Sequence, residues 1–247
     1  MLSLEQQNML REKYRQQNPG WMPATEQYAE LVRQQLTPER RLLDLGCGRG
    51  GLVEQLNHPL IQMVGIDPDL QSLREHRLDL RRAVAFSDHL PFTENSFDLV
   101  FCSWLLEHLE HPLNTFRAVS RVLRPGGAFV FITPNGSHPL SLLNQVLGRF
   151  SKLQGRIVEK LYGRSPADTF STFYRANRLV QLQKLSRHSG LTLAQWYTIA
   201  DPTYLAFSPA LFRLMCWFEG ILSERRRLHI VAMFIKPDTA DPAAPLP

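Results

Sequence analysis

Apolar residues along the chain alternate between two patterns. Short unbroken apolar runs near Arg41–Leu45, Gln62–Ile66, Ala83–Phe86, Phe97–Phe101 and Ala128–Thr133 read as buried strands. Between them, near Gly51–Asn57, Asp69–His76, Ser103–Leu109 and Leu113–Leu123, the spacing is helical. Strands alternating with helices in this way predict a mostly parallel sheet with helices on both faces and right-handed crossovers.

The flanks extend this α/β core. Leu4 to Gln17 carries Leu4, Met9, Leu10 and Tyr14 at the spacing of an amphipathic helix. A second helix is expected from Pro23 to Leu36, with Pro23 at its first turn and a stripe of Tyr28, Leu31, Val32 and Leu36. After Pro134 the pattern turns helical again (Leu140, Leu143, Val146, Leu147, then Ile157, Val158, Leu161), which predicts a helical insertion after the fifth strand. Tyr174-Arg175-Ala176-Asn177 leads into a helix from Arg178 to Ser189 that Gly190 stops. Leu191–Ile199 and Leu228–Ile235 read as strands around a second insertion, Asp201–Ser223, rich in Phe207, Leu211, Phe212, Leu214, Met215, Trp217 and Phe218. The expected layout is one domain over 1–238, with a helical cap (1–40), a core (41–134) and insertions at 135–173 and 201–223. The Pro/Ala-rich end, 239–247, is expected to be disordered.

The densest chemistry lies at the end of the first strand, Leu42-Leu43-Asp44-Leu45-Gly46-Cys47-Gly48-Arg49-Gly50-Gly51. Alternating glycines allow a tight strand-to-helix turn and close approach of backbone to a ligand. Gly46-x-Gly48-x-x-Gly51 also fits a dinucleotide fingerprint. Asp44 argues against that reading, because a carboxylate there repels a pyrophosphate but can orient a cationic amino group. Asp67 ends the second strand, where such folds place an acid for ribose hydroxyls. Ser87-Asp88-His89-Leu90-Pro91-Phe92, Ser96-Phe97-Asp98-Leu99-Val100 and Leu123-Arg124-Pro125-Gly126-Gly127 follow in order.

Over roughly Arg41 to Pro134 this ordered set resembles the class I S-adenosylmethionine-dependent methyltransferases, in particular the small-molecule branch that includes quinone-biosynthesis C-methyltransferases. The resemblance implies a Rossmann-like seven-stranded sheet whose antiparallel last strand lies between the fifth and sixth. It implies S-adenosylmethionine as cofactor. Gly46 and Gly48, with Cys47 between them and Asp44 behind, would take its methionine end. Asp67 would accept from both ribose hydroxyls. Pro68 would pack on the adenine edge, and Ser87, Asp88 and the His89 main chain would meet the base. Cys102, ending the fourth strand, completes the expected set. Structural readings stand beside these: turn capping for Asp44 and Asp88, and for Asp67 the N-cap of the next helix with Pro68 at its first position.

Methyl transfer asks mainly for alignment and water exclusion, with a base only where the acceptor carries a proton. His108 and Tyr174 are the candidates beside an acceptor, the alternative for His108 being a buried, hydrogen-bonded histidine. Arg175 could pair with an anionic acceptor, and Gly126-Gly127 reads as a turn.

Composition narrows the choice. With 247 residues and 44% hydrophobic content the chain can bury a full α/β core. Cys47, Cys102 and Cys216 are widely spaced without a CxxC pair, and no HxxxH pair occurs, so neither disulfides nor a metal are expected. A polar start and an apolar stretch at Leu205–Leu222 broken by Pro209, Arg213 and Glu219 predict a cytoplasmic protein with no membrane span. The formal charge is +5, with nine Lys/Arg against two acids between Arg149 and Arg187, so a nucleic-acid methyltransferase is an alternative. Against it, the chain lacks the Pro-Pro-aromatic tetrad of adenine amino methylation and a Pro-Cys nucleophile. The glycine turn taken alone would also suit a nicotinamide oxidoreductase, and the fold a non-catalytic interaction module. The expected acceptor is a small apolar or amphipathic molecule, and 201–223 is either its lid or a homodimer contact.

Overall fold

A computed structural model describes residues 4–148, 171–204 and 206–238. Seven strands form one sheet: β1 (Leu42–Leu45), β2 (Met63–Asp67), β3 (Arg81–Val84), β4 (Phe97–Ser103), β5 (Leu123–Pro134), β6 (Thr192–Ile199) and β7 (His229–Ile235). Their order is β3-β2-β1-β4-β5-β7-β6. The first five run parallel, and β7 is antiparallel to both β5 and β6. The sheet is therefore mostly parallel, as the alternating pattern and the family resemblance imply.

Two apolar layers sandwich the sheet. On one face Leu43, Val100, Phe129 and Phe131 pack with Phe116 of α4 (Pro112–Val122) and with α6 (Leu179–Ser189). Phe116 meets Phe129 and Phe234 edge-on at 5.5 Å each, the geometry aromatic quadrupoles favour. On the other face Leu42, Leu99 and Val130 meet Tyr28, Leu31 and Val32 of α2 (Ala24–Arg33). The remaining helices are α1 (Leu4–Gln17), α3 (Leu70–Arg74), α5 (Pro139–Gly148) and α7 (Pro209–Ile221). Helix α7 turns Phe212, Met215 and Glu219 inward, where Phe212 packs with Tyr14 and Ala206. Its Leu214, Trp217 and Ile221 are exposed. Among the described residues no helix is long and apolar enough to cross a membrane.

Several local expectations are corrected. The helix expected after the glycine turn is a single 3-10 turn, Leu52–Gln55, because Leu56 reverts to extended backbone ahead of His58-Pro59. The helix expected at Ser103–Leu109 is likewise one 3-10 turn, Leu106–His108, since Trp104 takes a left-handed φ of 55° that no helix continues through. The third strand, expected near Ala83–Phe86, runs from Arg81 to Val84, and Asp88 lies in the turn beyond it. The N-cap of α3 is Asp69, which accepts from the Gln71 and Ser72 N–H groups, and not Asp67. The expected insertion residues Ile157, Val158 and Leu161 and the tail 239–247 lie outside the described residues.

Candidate functional site

β1 delivers its chain into a turn that glycine alone makes cheaply. Gly46 and Gly48 sit at φ 74° and 49°, where a Cβ is strained. The Gly46 and Cys47 N–H groups both donate to the Ile66 carbonyl of β2, at 2.8 and 3.0 Å. Gly48 N–H donates to Asp67 Oδ2 at 2.9 Å, and Asp69 N–H to Oδ1 at 2.8 Å. Asp67 therefore clamps the turn to its own loop instead of capping the helix. Open space lies where a Gly48 side chain would stand, and Leu105 closes over Gly46, its Cδ1 3.4 Å from the position of a Cβ.

Behind the turn, Asp44 is only 8% exposed. Burial, then the neighbouring Asp67, pushes its carboxyl up to about 7. Two acids at one corner, one of them buried, make a place that a cation relieves. The donor set thus fits the expected cofactor: a carboxyl for an ammonium, a second with spare lone pairs for a diol, and a glycine wall admitting close approach.

The other expected residues are placed as follows. Cys47 points its thiol down onto β2, and Cys102 is fully enclosed in β4. Burial raises both thiols, so neither is primed as a nucleophile. Pro68 is exposed beside Asp67. Ser87 is tied to Thr115 of α4, hydroxyl to hydroxyl at 3.0 Å. Asp88 pairs with the largely exposed His89 ring at 2.9 Å. The His89 N–H, expected to meet the base, donates instead to Phe86 O at 3.1 Å, because the chain closes a turn there.

Cys47 also explains Gly65 on β2. A Cβ at Gly65 would lie 2.8 Å from the Cys47 sulfur and 3.2 Å from Leu80. Gly65→Ala should cost about 1–3 kcal/mol by overpacking, measured by urea unfolding. Adding Cys47→Ala removes the closest contact and should recover part of that loss; no recovery would mean that the Cys47 Cβ at 3.1 Å and Leu80 at 3.2 Å set the limit.

Beyond β4 lies a second set. Glu107 is buried, and burial pushes its carboxyl up to about 7. Thr133 Oγ1 donates to it at 3.2 Å, and Asn177 Nδ2 donates to Thr133 at 2.6 Å. His108 is half-buried with Nδ1 3.0 Å from the Ser171 carbonyl, and burial lowers its basicity. Tyr174, at φ 54°, donates its N–H to the Glu107 carbonyl. Burial and then the Glu107 charge hold its hydroxyl proton tightly. Arg175 is bound to Glu110 O at 2.7 Å and stacks on Phe173. His108 and Tyr174 are thus brought together around Glu107, beyond the carboxyl ends of β4 and β5. The roles of Thr133 and Asn177 escaped the sequence, since segments distant from Glu107 supply them.

Residues 43–131 match the family model described as "Methyltransferase domain". Over these residues the chain carries a methyltransferase domain. Similar proteins include two named ubiquinone biosynthesis O-methyltransferase. That of Alkalilimnicola ehrlichii is 36% identical over 123 residues, covering 47% of this chain and 49% of that protein. That of Chromobacterium violaceum is 32% identical over 162 residues, covering 62% and 65%. The chain thus spans about half the length of the first of these relatives. Among solved structures, geranyl diphosphate C-methyltransferase of Streptomyces coelicolor, in complex with S-adenosyl-L-homocysteine, superposes with a TM-score of 0.57 over 85% of this chain and 79% of its own, at 15% identity. That likeness is one of fold. Ubiquinone biosynthesis O-methyltransferases are thus among its relatives by sequence. Their names are those of O-methyltransferases, where the resemblance drew on the C-methyltransferase branch.

Proposed function

We propose that the chain transfers a methyl group from S-adenosylmethionine to a small apolar or amphipathic acceptor. The observation that carries this reading is the corner formed by the Gly46–Gly48 turn, buried Asp44 and clamped Asp67. When bound, S-adenosylmethionine supplies an electrophilic methyl group on a positively charged sulfur. In this reading Asp44 and the main chain of Gly46, Cys47 and Gly48 hold the amino-acid end, and Asp67 accepts from the ribose hydroxyls. Pro68, Ser87 and Asp88 border the base, His89 beside them, with Cys102 packing beneath. His108 and Tyr174 flank the acceptor. Because the Tyr174 hydroxyl keeps its proton, it serves as a hydrogen-bond donor rather than a base.

One domain over 1–238 carries the reaction, with the helices of 1–40 and 201–223 covering the site. The exposed Leu214, Trp217 and Ile221 of α7 suit contact with an apolar acceptor or a second copy of the chain. The names of the relatives favour a quinone-precursor ring as acceptor. The nucleic-acid reading rests on a basic stretch of which 149–170 lies outside the described residues, and no described contact supports it.

The test is thermal unfolding with S-adenosylhomocysteine, with NAD as control. At 100 times its Kd the ligand adds about 2.7 kcal/mol, which raises Tm by about 5–10 °C at this chain length. An equal rise with NAD, or none with S-adenosylhomocysteine, would overturn the reading.

A further inference from the structure

Outside the cofactor corner, three polar side chains are enclosed together at the carboxyl end of β5. His138 starts α5, Glu219 projects inward from α7, and His229 opens β7 opposite Pro134. The His138 and Glu219 side chains are wholly shielded from solvent, and His229 is nearly so. His138 Nε2 lies 3.3 Å from Glu219 Oε1, out of line for a hydrogen bond. Among the described residues neither Glu219 oxygen, nor His138 Nε2, nor His229 Nδ1 has a hydrogen-bond partner. Enclosed polar atoms without partners are rare because each forfeits its hydration, so four in one cluster point to a missing ligand.

The donor and acceptor pattern says what kind. The Leu140 N–H donates to His138 Nδ1 at 3.1 Å, so Nδ1 is the acceptor nitrogen and Nε2 carries the proton. The cluster therefore offers one N–H donor beside two carboxyl acceptors. A hydroxyl group, which donates and accepts at once, satisfies both; an ether oxygen satisfies only the donor. Burial keeps His229 neutral, pushing it down to about 4. Other ionisable neighbours are Tyr14 and Cys216 beside Glu219, and Asp201 and Arg11 beside His229. Asp201 accepts from the Thr203 N–H and hydroxyl and faces Arg11 at 3.7 Å.

The position is right for an acceptor. Trp104 and Leu105 are adjacent in sequence after β4. The Leu105 side chain covers Gly46 of the cofactor turn, while the Trp104 ring packs edge-on against His229 with centroids 5.1 Å apart. Trp104 holds a left-handed φ, strained for a bulky residue, and is 37% exposed. It packs on the His229 side of the cluster and is next in sequence to the residue that closes over the glycine turn.

We propose that Glu219, with His138 beside it, receives the proton of a hydroxyl-bearing acceptor such as a phenol, and that Trp104 is the cover displaced when that acceptor enters. This rests on the methyl-transfer reading. The acceptor O–H bond breaks, the proton passes to a Glu219 carboxylate oxygen, and the bonding pair stays on the acceptor oxygen, which becomes the nucleophile for the methyl group.

The test uses phenol as probe and anisole, which cannot donate, as control, titrated by NMR into the S-adenosylhomocysteine-loaded protein. Phenol should bind at least about tenfold more tightly than anisole, the worth of one hydrogen bond to a charged group. In Glu219→Gln that preference should fall below about threefold while S-adenosylhomocysteine still binds. Equal binding of phenol and anisole by the wild type, or an unchanged preference in Glu219→Gln, would overturn the proposal. Should Glu219→Gln fail to fold, the wild type decides: the imidazole nitrogen resonances of His138 and His229 shift farther with phenol than with anisole, and no difference overturns it. If S-adenosylhomocysteine does not bind the wild type, the titration is run on the free protein; loss of cofactor binding with the phenol preference intact would sink the methyl-transfer reading and leave the hydroxyl site standing.

Discussion

Asp67→Ala should weaken S-adenosylhomocysteine binding by at least about 100-fold, with isothermal titration as the measurement. The size follows from what the carboxylate does. Each oxygen already takes one main-chain N–H, from Gly48 and from Asp69, which fixes both oxygens in direction and leaves one lone pair on each for the ribose diol. Hydrogen bonds to a charged group are worth about 1.5–3 kcal/mol each, so losing two removes about 3–6 kcal/mol. The clamp goes with them: Gly48, at positive φ, loses the acceptor that holds its N–H, and the turn loosens where the ligand must approach. Asp67→Asn separates the two effects. An amide keeps one acceptor oxygen but turns an NH2 either toward a main-chain N–H or toward a hydroxyl. It should fall between wild type and alanine, losing about 10- to 100-fold. If Asp67→Ala stays folded and its Kd lies within about threefold of wild type, the diol is not held here and the corner belongs to another ligand.

How far the sequence reaches depends on how local each feature is. β1, β2, β4 and β5 are legible because strands buried on both faces read as continuous apolar runs, and the glycine turn because positive φ needs glycine. The helix expected after Gly51 shortens because Leu52, Val53 and Leu56 suit one 3-10 turn as well as a longer helix, and His58-Pro59 stops it. Asp67 and Asp69 are two residues apart and either could cap α3; only the Gly48 N–H, brought in from another strand, decides between them. Glu107, Thr133 and Asn177 come from three segments and have no shared period to betray them. Glu219 is the extreme case. It sits in an otherwise apolar helix, where by sequence it only interrupts a membrane-like stretch, and its meaning comes from His138, brought against it by α5.

Asp44→Asn should do two opposite things: stabilise the free protein above pH 7 and weaken its grip on the cofactor. The Asp44 carboxyl stands at about 7 in the folded chain, raised first by burial and then by Asp67, against about 3.9 when unfolded. A raised value means that the folded state holds the proton longer. Stability is therefore fully present below about pH 4 and is lost as pH rises through 7, up to about 4 kcal/mol at the plateau. Asparagine cannot ionise and escapes that loss. The free variant should therefore melt well above wild type at pH 8, with the gap narrowing through pH 7 to 4 and closing below. A cationic amino group beside Asp44 reverses the balance by favouring the carboxylate, so below pH 7 the wild type must release a proton when ligand binds. Its affinity for S-adenosylhomocysteine should climb up to tenfold per pH unit from 5 to 7 and then level off. Titration in buffers of different ionisation enthalpy should register about one proton released at pH 5.5 and almost none at pH 8. In Asp44→Asn affinity should be lower at pH 8 and nearly flat across the range. A stabilised Asp44→Asn that binds as tightly as wild type, with no proton released, would mean that Asp44 is a buried liability of the fold and that the ammonium is held by the main chain of the glycine turn alone.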